Sequence, residues 1–374
     1  MPAERLDAII SVGYRRTNVP LTAVDGSDGG ASHFSGDAQF LKRALYFDAQ
    51  VDLPLDGRMR RGSFDPWVVP AVTGIPPNEV AKFHCPMHEG ARANEPADCP
   101  LCGMSLVPIL GGIRTTLHDD AYAMDLVPSA TPIDPGQVVQ LRFVPKRAAT
   151  GETIRDLQIV HEHPLHLIIV GDDLVFFDHI HPLPQDDGSL TIDYAFPRAG
   201  TYLLFADIAP RGDRSQVFRL PVVVGAAAGV ASASVTLVPE VAPSREIGKY
   251  HVELFTQPRE LVSGRDCHIA FRLELDGRPV LDLEPYIGAM GHCVIISEDT
   301  QTYLHSHPEQ LTAAPLPDER GGPDVAFHTV FPRPGRYKVW GQFKRGEEII
   351  VADFVLDVKP PLVPKWLSDF LIFD

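Results

Sequence analysis

No run of roughly 18 or more apolar residues occurs anywhere in the 374-residue chain, so no transmembrane helix is expected. Basic side chains are in deficit. Thirty-three Lys and Arg stand against 49 Asp and Glu, leaving a formal charge of −16. A surface this acidic repels phosphate backbones, which excludes nucleic acid as an expected partner. Cysteine is scarce, and five cysteines do not make a disulfide scaffold. Residues suited to helix interiors are diluted by 35 prolines and 30 glycines, about a sixth of the chain. Short strands joined by turns are expected instead. No G-x-S-x-G motif and no spaced Ser/His/Asp set is present. The opening "MPAERLDAIISVGYRR" has an acidic start and an interrupted apolar stretch, so no export signal is expected and the cytoplasm is implied if the chain begins there. With 44% hydrophobic residues the chain has enough apolar material for two or three cored domains.

The scarce cysteines are unevenly placed. Cys85, Cys99 and Cys102 fall within "FHCPMHEGARANEPADCPLCGMSLVP", residues 83–108. A C-x-x-C turn such as Cys99-Pro-Leu-Cys102 lets two thiolates reach one ion, and a third from a neighbouring turn completes a trigonal or near-tetrahedral set. His84, Met87, His88 and Met104 are candidates for a fourth ligand. Thiolate with thioether suits Cu(I), and thiolate with imidazole is compatible with Zn(II). A structural zinc knuckle fits the same residues. A redox C-x-x-C fits poorly, because no thioredoxin-like βαβ pattern surrounds it.

"FHCPMHEG…CPLCGMSLVP" resembles the small heavy-metal-binding domain attached to copper- and silver-transporting P-type ATPases and to adaptor subunits of heavy-metal efflux systems. That family's pattern is Cys-Pro-Met-His-Pro, a short loop, then Cys-Pro-x-Cys-Gly-Met-x-Leu-x-Pro. Glu89 stands where the family usually has proline. The resemblance covers about 30 residues and implies metal binding by Cys85, Cys99 and Cys102, assisted by His88 or Met87. It also implies a metal efflux or transport protein as partner and the cell envelope of a bacterium as location.

The remainder is a repeat. "HLIIVGDDLVFFDHIHP" from His166 matches "HCVIISEDTQTYLHSHP" from His292, and "FPRAGTY" (196–202) matches "FPRPGRY" (331–337). Each copy holds short β-rich runs punctuated by turn residues at the spacing of a β-sandwich, and the Phe-Pro-x-x-Gly-x-Tyr turn fits an immunoglobulin-like corner. The expected fold is mainly β: a metal-binding knuckle followed by two tandem immunoglobulin/cupredoxin-like β-sandwich domains. The expected division is an N-terminal region at 1–77 without legible period and partly disordered, the knuckle at 78–112, the first sandwich at 113–225, a linker at 226–246, the second sandwich at 247–360 and a tail at 361–374. The repeats are similar to small β-sandwich domains that accompany bacterial copper-resistance proteins.

Eight of the 15 histidines fall in two short windows, and a triplet recurs at identical spacing: His166, His179 and His181, then His292, His305 and His307. With Asp172-Asp173 and Glu298-Asp299 as two-residue turns, His166 faces His179 and His292 faces His305. His181 and His307 lie on the same faces. Three imidazoles on one face make a candidate Cu(II) or Zn(II) site in each copy, with Met290 as a further soft ligand and His161 and His163 enlarging the first cluster. Histidines of this kind also serve as satisfied polar side chains of a strand. Cys267 and Cys293 take positions that are apolar in the other copy and read as core thiols, with a disulfide between them as the alternative. Cys293 has no histidine close behind it, so a blue-copper centre is not expected, nor is a multicopper-oxidase site, since Val294 follows Cys293.

The function expected from these residues is a soluble heavy-metal binding protein, with copper or zinc as the ion, engaged in sequestration, transfer or resistance. Two other readings remain. One is an interaction protein of two sandwiches with a structural zinc knuckle. The other is a metal-dependent enzyme that activates water or oxygen at a three-histidine site, although no catalytic group beyond the histidines is legible.

Overall fold

The computed structural model describes residues 5–12, 15–24, 33–35, 48–55, 58–64, 83–85, 92–93, 95–99, 104–108, 117–225, 236–240, 243–306, 308 and 318–360, with only the backbone path for 5–64 and for His84, Arg92 and Pro108. Every regular element in these residues is a strand. The N-terminal region, where the sequence shows no period, contains a five-stranded antiparallel sheet. Its order is His33–Ser35, Arg15–Val24, Arg5–Val12, Asp48–Leu55, Arg58–Phe64. In the knuckle, Phe83–His84 pairs with both Arg92–Ala93 and Val107–Pro108.

The first repeat is a sandwich of two four-stranded sheets. One orders Leu183–Pro184, Leu190–Ala195, Val138–Arg147 and Tyr122–Pro128; the other orders Phe177–Ile180, Leu165–Gly171, Gly200–Ile208 and Gln216–Val224. The second repeat copies this plan. Ser244–Ile247, Tyr250–Gln257, Asp266–Leu275 and Arg278–Pro279 form one sheet, joined by Asp324–Val330. Leu261–Val262, Glu348–Lys359, Gly335–Arg345, His292–Ser297 and Tyr303–Ser306 form the other. The cores correspond: Phe143, Phe196 and Tyr202 in the first, Phe271, Phe331 and Tyr337 in the second, all fully buried. The expected corner is present in both copies. Tyr202 Oη donates to the Arg198 carbonyl at 3.0 Å and Tyr337 Oη to the Arg333 carbonyl at 2.7 Å. Gly200 (φ 148°) and Gly335 (φ 139°) supply the backbone conformation that the corner needs.

Every residue of Leu165–Gly171 and of His292–Ser297 is buried. An antiparallel strand with one wet face would alternate. These do not, because each faces its own core on one side and the other repeat on the other. Leu165, Leu167 and Ile169 belong to the first core and Cys293 and Ile295 to the second, whereas Ile168, Val170, Val294 and Ile296 form a separate cluster between the sandwiches. Two aromatic stacks close that interface: Phe177 on Trp340 (centroids 4.9 Å, planes 18° apart) and Phe205 on Tyr303 (5.2 Å, 13°). By the repeat alignment Phe177 corresponds to Tyr303 and Phe205 to Trp340. The same contact is therefore made twice, as in an isologous interface. Within the segment expected as a linker, Leu237 is buried in this interface; its N–H donates to Glu298 Oε1 (2.6 Å) and its carbonyl accepts from Arg336 (2.8 Å).

The two hairpins differ from the two-residue turns expected. Ile168 faces His179 and Val294 faces His305, so each register is displaced by two residues. The cause is local. Leu174 (φ 54°) and Thr300 (φ 58°) adopt left-handed backbone, and the Asp173 and Asp299 side chains accept from the N–H groups of Val175 and Gln301, each at 3.0 Å. These carboxylate-closed loops are longer than a two-residue turn. A shift of two preserves the face on which each histidine lies.

Candidate metal centre

The knuckle contributes buried thiols. Cys85 (0% exposed) and Cys99 (2%) pack with Leu106, and Met104 is buried beside them in sequence. The Cys99 N–H donates to the Met104 carbonyl at 2.6 Å. Two thiols in one small buried cluster fit the thiolate set inferred from the motif. Cys102, Met87 and His88 lie outside the described residues. The knuckle also touches the first repeat: the Ser105 N–H donates to Gln158 Oε1 at 3.0 Å.

The histidines are arranged differently from the two separate sites expected, one in each copy. Because the repeats stack through the very sheets that carry the triplets, His161, His163, His166, His179, His181, His292 and His305 converge on one place between the sandwiches. His179 lies 4.7 Å from His181 within its own repeat, and 5.4 and 5.3 Å from His292 and His305 of the other, ring centroid to centroid. His163 stacks on His181 (3.9 Å, 17°), and His161 meets His292 edge-on (5.7 Å). Two groups of three have their ring nitrogens mutually within 4.8 Å: His166, His179, His181 and His179, His292, His305. His307 lies outside the described residues. Met290 packs into the core of the second sandwich, its Cε against Gly321. Cys267 and Cys293 are buried core thiols that are not bridged to each other.

The hydrogen bonds decide which nitrogens are available. His166 Nε2 donates to the Val160 carbonyl at 2.9 Å, and His292 Nε2 to the Tyr286 carbonyl at 2.8 Å. A neutral imidazole carries one proton, so Nδ1 of each is left bare. His179 Nδ1 donates to Gln342 Oε1 at 2.7 Å, which leaves its Nε2 bare. His305 turns Nδ1 toward Asp207 Oδ2 at 3.7 Å and Nε2 toward His292. These ring nitrogens meet one another: His166 Nδ1 and His179 Nε2 are 3.2 Å apart, His166 Nδ1 and His181 Nε2 3.2 Å, His292 Nδ1 and His305 Nε2 3.4 Å. For metal–nitrogen bonds of about 2.0–2.1 Å, the edge of a tetrahedron is about 3.3 Å. The nitrogens are thus spaced as ligands of one ion, and the outer nitrogens of His166, His179 and His292 are held by hydrogen bonds in the manner of metal-ligating histidines.

Burial keeps the rings neutral. His166 is lowered to about 4, His179 to about 3 and His181 to about 2, by burial first and by the neighbouring imidazoles in addition. His292 and His305 are driven well below the ordinary imidazole value by burial first and by the surrounding rings second. Neutral imidazole is the ligating form.

Asp207 and Gln342 were not singled out by sequence reasoning. Each is a polar residue in the middle of an apolar strand ("TYLLFADIA", "RYKVWGQFK"), and that interruption is the signal that could have found them. Their pairing with histidines of the opposite repeat follows from the stacking of the sandwiches alone.

Comparison with known proteins adds two family matches. A domain of unknown function (DUF8832) matches twice in tandem, over residues 116–226 and 245–360, and the heavy metal binding domain matches residues 82–109. No curated protein matches the chain. Among solved structures, the chain is similar to alpha-2-macroglobulin from Escherichia coli (11% identity, 95% of this chain and 22% of that one, TM-score 0.22). It is also similar to the Escherichia coli adhesin FdeC (10% identity, 83% and 73%, TM-score 0.20) and to a two-domain fibronectin type-III segment of chicken tenascin (12% identity, 62% and 97%, TM-score 0.17). The chain thus spans under a quarter of the macroglobulin's length.

Proposed function

From a chain that belongs to the DUF8832 family, and that carries two copies of its domain behind a heavy metal binding domain, we propose a copper-binding protein that sequesters the ion in two chemically distinct sites and serves in metal resistance or transfer. The soft site is the knuckle, where Cys85, Cys99 and Cys102 offer thiolates that favour Cu(I). The second is the histidine centre between the repeats, whose neutral imidazoles accept copper in either oxidation state and also zinc. The ion is cargo in this reading. The chain's own part is to hold bare nitrogens at ligand spacing, to fix their tautomers through Gln342, Val160 and Tyr286, and to exclude water by packing them between two sandwiches. A metal efflux or transport protein would be the partner that receives it.

The observation that carries this reading is the convergence of His166, His179 and His181, and of His179, His292 and His305, each group with one ring nitrogen per residue within 4.8 Å of the others.

The test is metal stoichiometry under anaerobic reducing conditions, with Cu(I) and Zn(II) titrated against a competing chelator. Two tightly held ions are expected, one lost on Cys99→Ser and the other on His179→Ala. A single zinc lost only with the knuckle cysteines would instead make the protein a pair of interacting sandwiches with a structural knuckle.

A further inference from the structure

The two candidate groups share His179, and this limits how they are filled. Gln342 holds Nδ1 of that ring, so only Nε2 can take a metal. His179 belongs both to the group with His166 and His181 and to the group with His292 and His305, and its Nε2 is the nitrogen that faces His166 at 3.2 Å. One lone pair binds one ion, so the groups are alternatives.

They differ in access. The first group belongs wholly to the first repeat and ends in His181, which is half-buried and stacks on the half-buried His163. The second draws His292 and His305 from the second repeat. His292 is 0% exposed and the His305 side chain 4%. The second group also has an acidic neighbour, since Asp207 Oδ2 lies 3.7 Å from His305 Nδ1. That carboxylate places a negative charge beside the ring and favours a cation there.

Resting on the histidine centre proposed above, we propose that His166, His179 and His181 form a loading position and His179, His292 and His305 a holding position for one and the same ion. The ion enters between His181 and His166, keeps its bond to His179 Nε2 throughout, and exchanges the first pair of imidazoles for His292 Nδ1 and His305 Nε2. No proton or electron moves in this step: two metal–nitrogen bonds break and two form. The ligand class is a single late first-row cation that accepts imidazole, Cu(I), Cu(II) or Zn(II).

The experiment uses the full chain with Co(II) as probe. Cobalt–thiolate absorption marks ions at the knuckle, so histidine-bound ions are counted separately. Equilibrium titration is paired with stopped-flow loading and with release to a chelator. The wild type is expected to bind one histidine-held ion. His181→Gln is expected to keep that ion at equilibrium but to load it roughly tenfold more slowly, and His305→Gln to load at the normal rate but to release roughly tenfold faster. Glutamine preserves much of the side-chain volume, and matching thermal melts establish that each variant is folded. If either glutamine variant fails to fold, His163→Ala at the half-buried rim repeats the loading test. Two histidine-held ions at once, or unchanged loading in His181→Gln, would overturn the loading-and-holding arrangement while leaving metal binding intact. No histidine-held ion in the wild type would overturn the parent reading as well.

Discussion

Gln342 of the second repeat accepts a hydrogen bond from His179 of the first, Nδ1 to Oε1 at 2.7 Å. The reciprocal pair is Asp207 of the first repeat with His305 of the second, at 3.7 Å. Asp207 and Gln342 occupy the same strand position in the two copies: one pairs across the backbone ladder with His166 and the other with His292. The duplication has therefore produced a single centre with approximate two-fold symmetry, in which each repeat sets a polar side chain against a histidine of the other.

Gln342→Leu removes the acceptor and releases the His179 tautomer. The affinity of the histidine centre should fall about 10- to 100-fold, the range for loss of an outer-shell partner. The knuckle ion should be unaffected. Competition titration reads both, and equal affinity in the variant would show that the amide does not orient the ring.

Nitrogen-15 NMR of the metal-free protein should find His179 as the Nδ1–H tautomer and His166 and His292 as Nε2–H. On metal addition the bare nitrogens should shift. A proton on His179 Nε2, donated to His166 Nδ1, would mean that the histidines satisfy one another and need no ion.

Removing the Trp340 side chain empties a fully packed position between the sandwiches, where the ring is 2% exposed and stacks on Phe177. Trp340→Ala should cost about 3–5 kcal/mol of stability. Phe177→Ala, at the half-buried side of the same stack, should cost less and weaken the histidine centre without touching the knuckle. Chemical denaturation together with titration separates the two effects. A Phe177 variant with an intact histidine centre would show that the interface does not position the ligands.

Acid should destabilise the metal-free protein over a defined window. Burial lowers His166 to about 4 and His179 to about 3, while in the unfolded chain each titrates near the ordinary value of about 6.5. The unfolded state therefore takes up protons first. The stability these rings contribute is complete above pH ~6.5, declines as the pH falls toward 4 and 3, and is gone below that. The melting temperature at pH 5 should lie clearly below that at pH 7.5, and the histidine-held ion should be lost over the same range. A flat profile between those two values would contradict the buried, neutral state of the rings.

Cys267 and Cys293 should resist thiol reagents in the native protein and react on unfolding. Burial raises Cys267 to about 12 and pushes Cys293 up as well, so neither is a thiolate near neutrality. Labelling followed by mass measurement checks this, and rapid native labelling of either would place it outside the core.

Much of this architecture is legible in the sequence because it depends on local chemistry. The duplicated Phe-Pro-x-x-Gly-x-Tyr turn predicts the corner that Tyr202 and Tyr337 close. The apolar runs beginning at His166 and His292 predict central strands. The period of two places His166, His179 and His181 on one face, and even a misjudged hairpin leaves that face unchanged, since the error was two residues. The stretch "FHCPMHEG…CPLCGMSLVP" resembles a heavy-metal-binding domain, and the match over 82–109 agrees. What the sequence by itself determined is therefore the class of the elements in the two repeats, the repeat itself and the residue types at the candidate sites; the N-terminal sheet was not legible. Only the tertiary structure decided that the two histidine faces meet. That meeting depends on how Ile168, Val170, Phe177 and Phe205 pack against Val294, Ile296, Tyr303 and Trp340. Apolar burial is non-directional, so a strand that is apolar on both faces states that something covers it without stating what. The partner here is the other copy, and its arrival turns two expected sites into one centre with His179 at its middle.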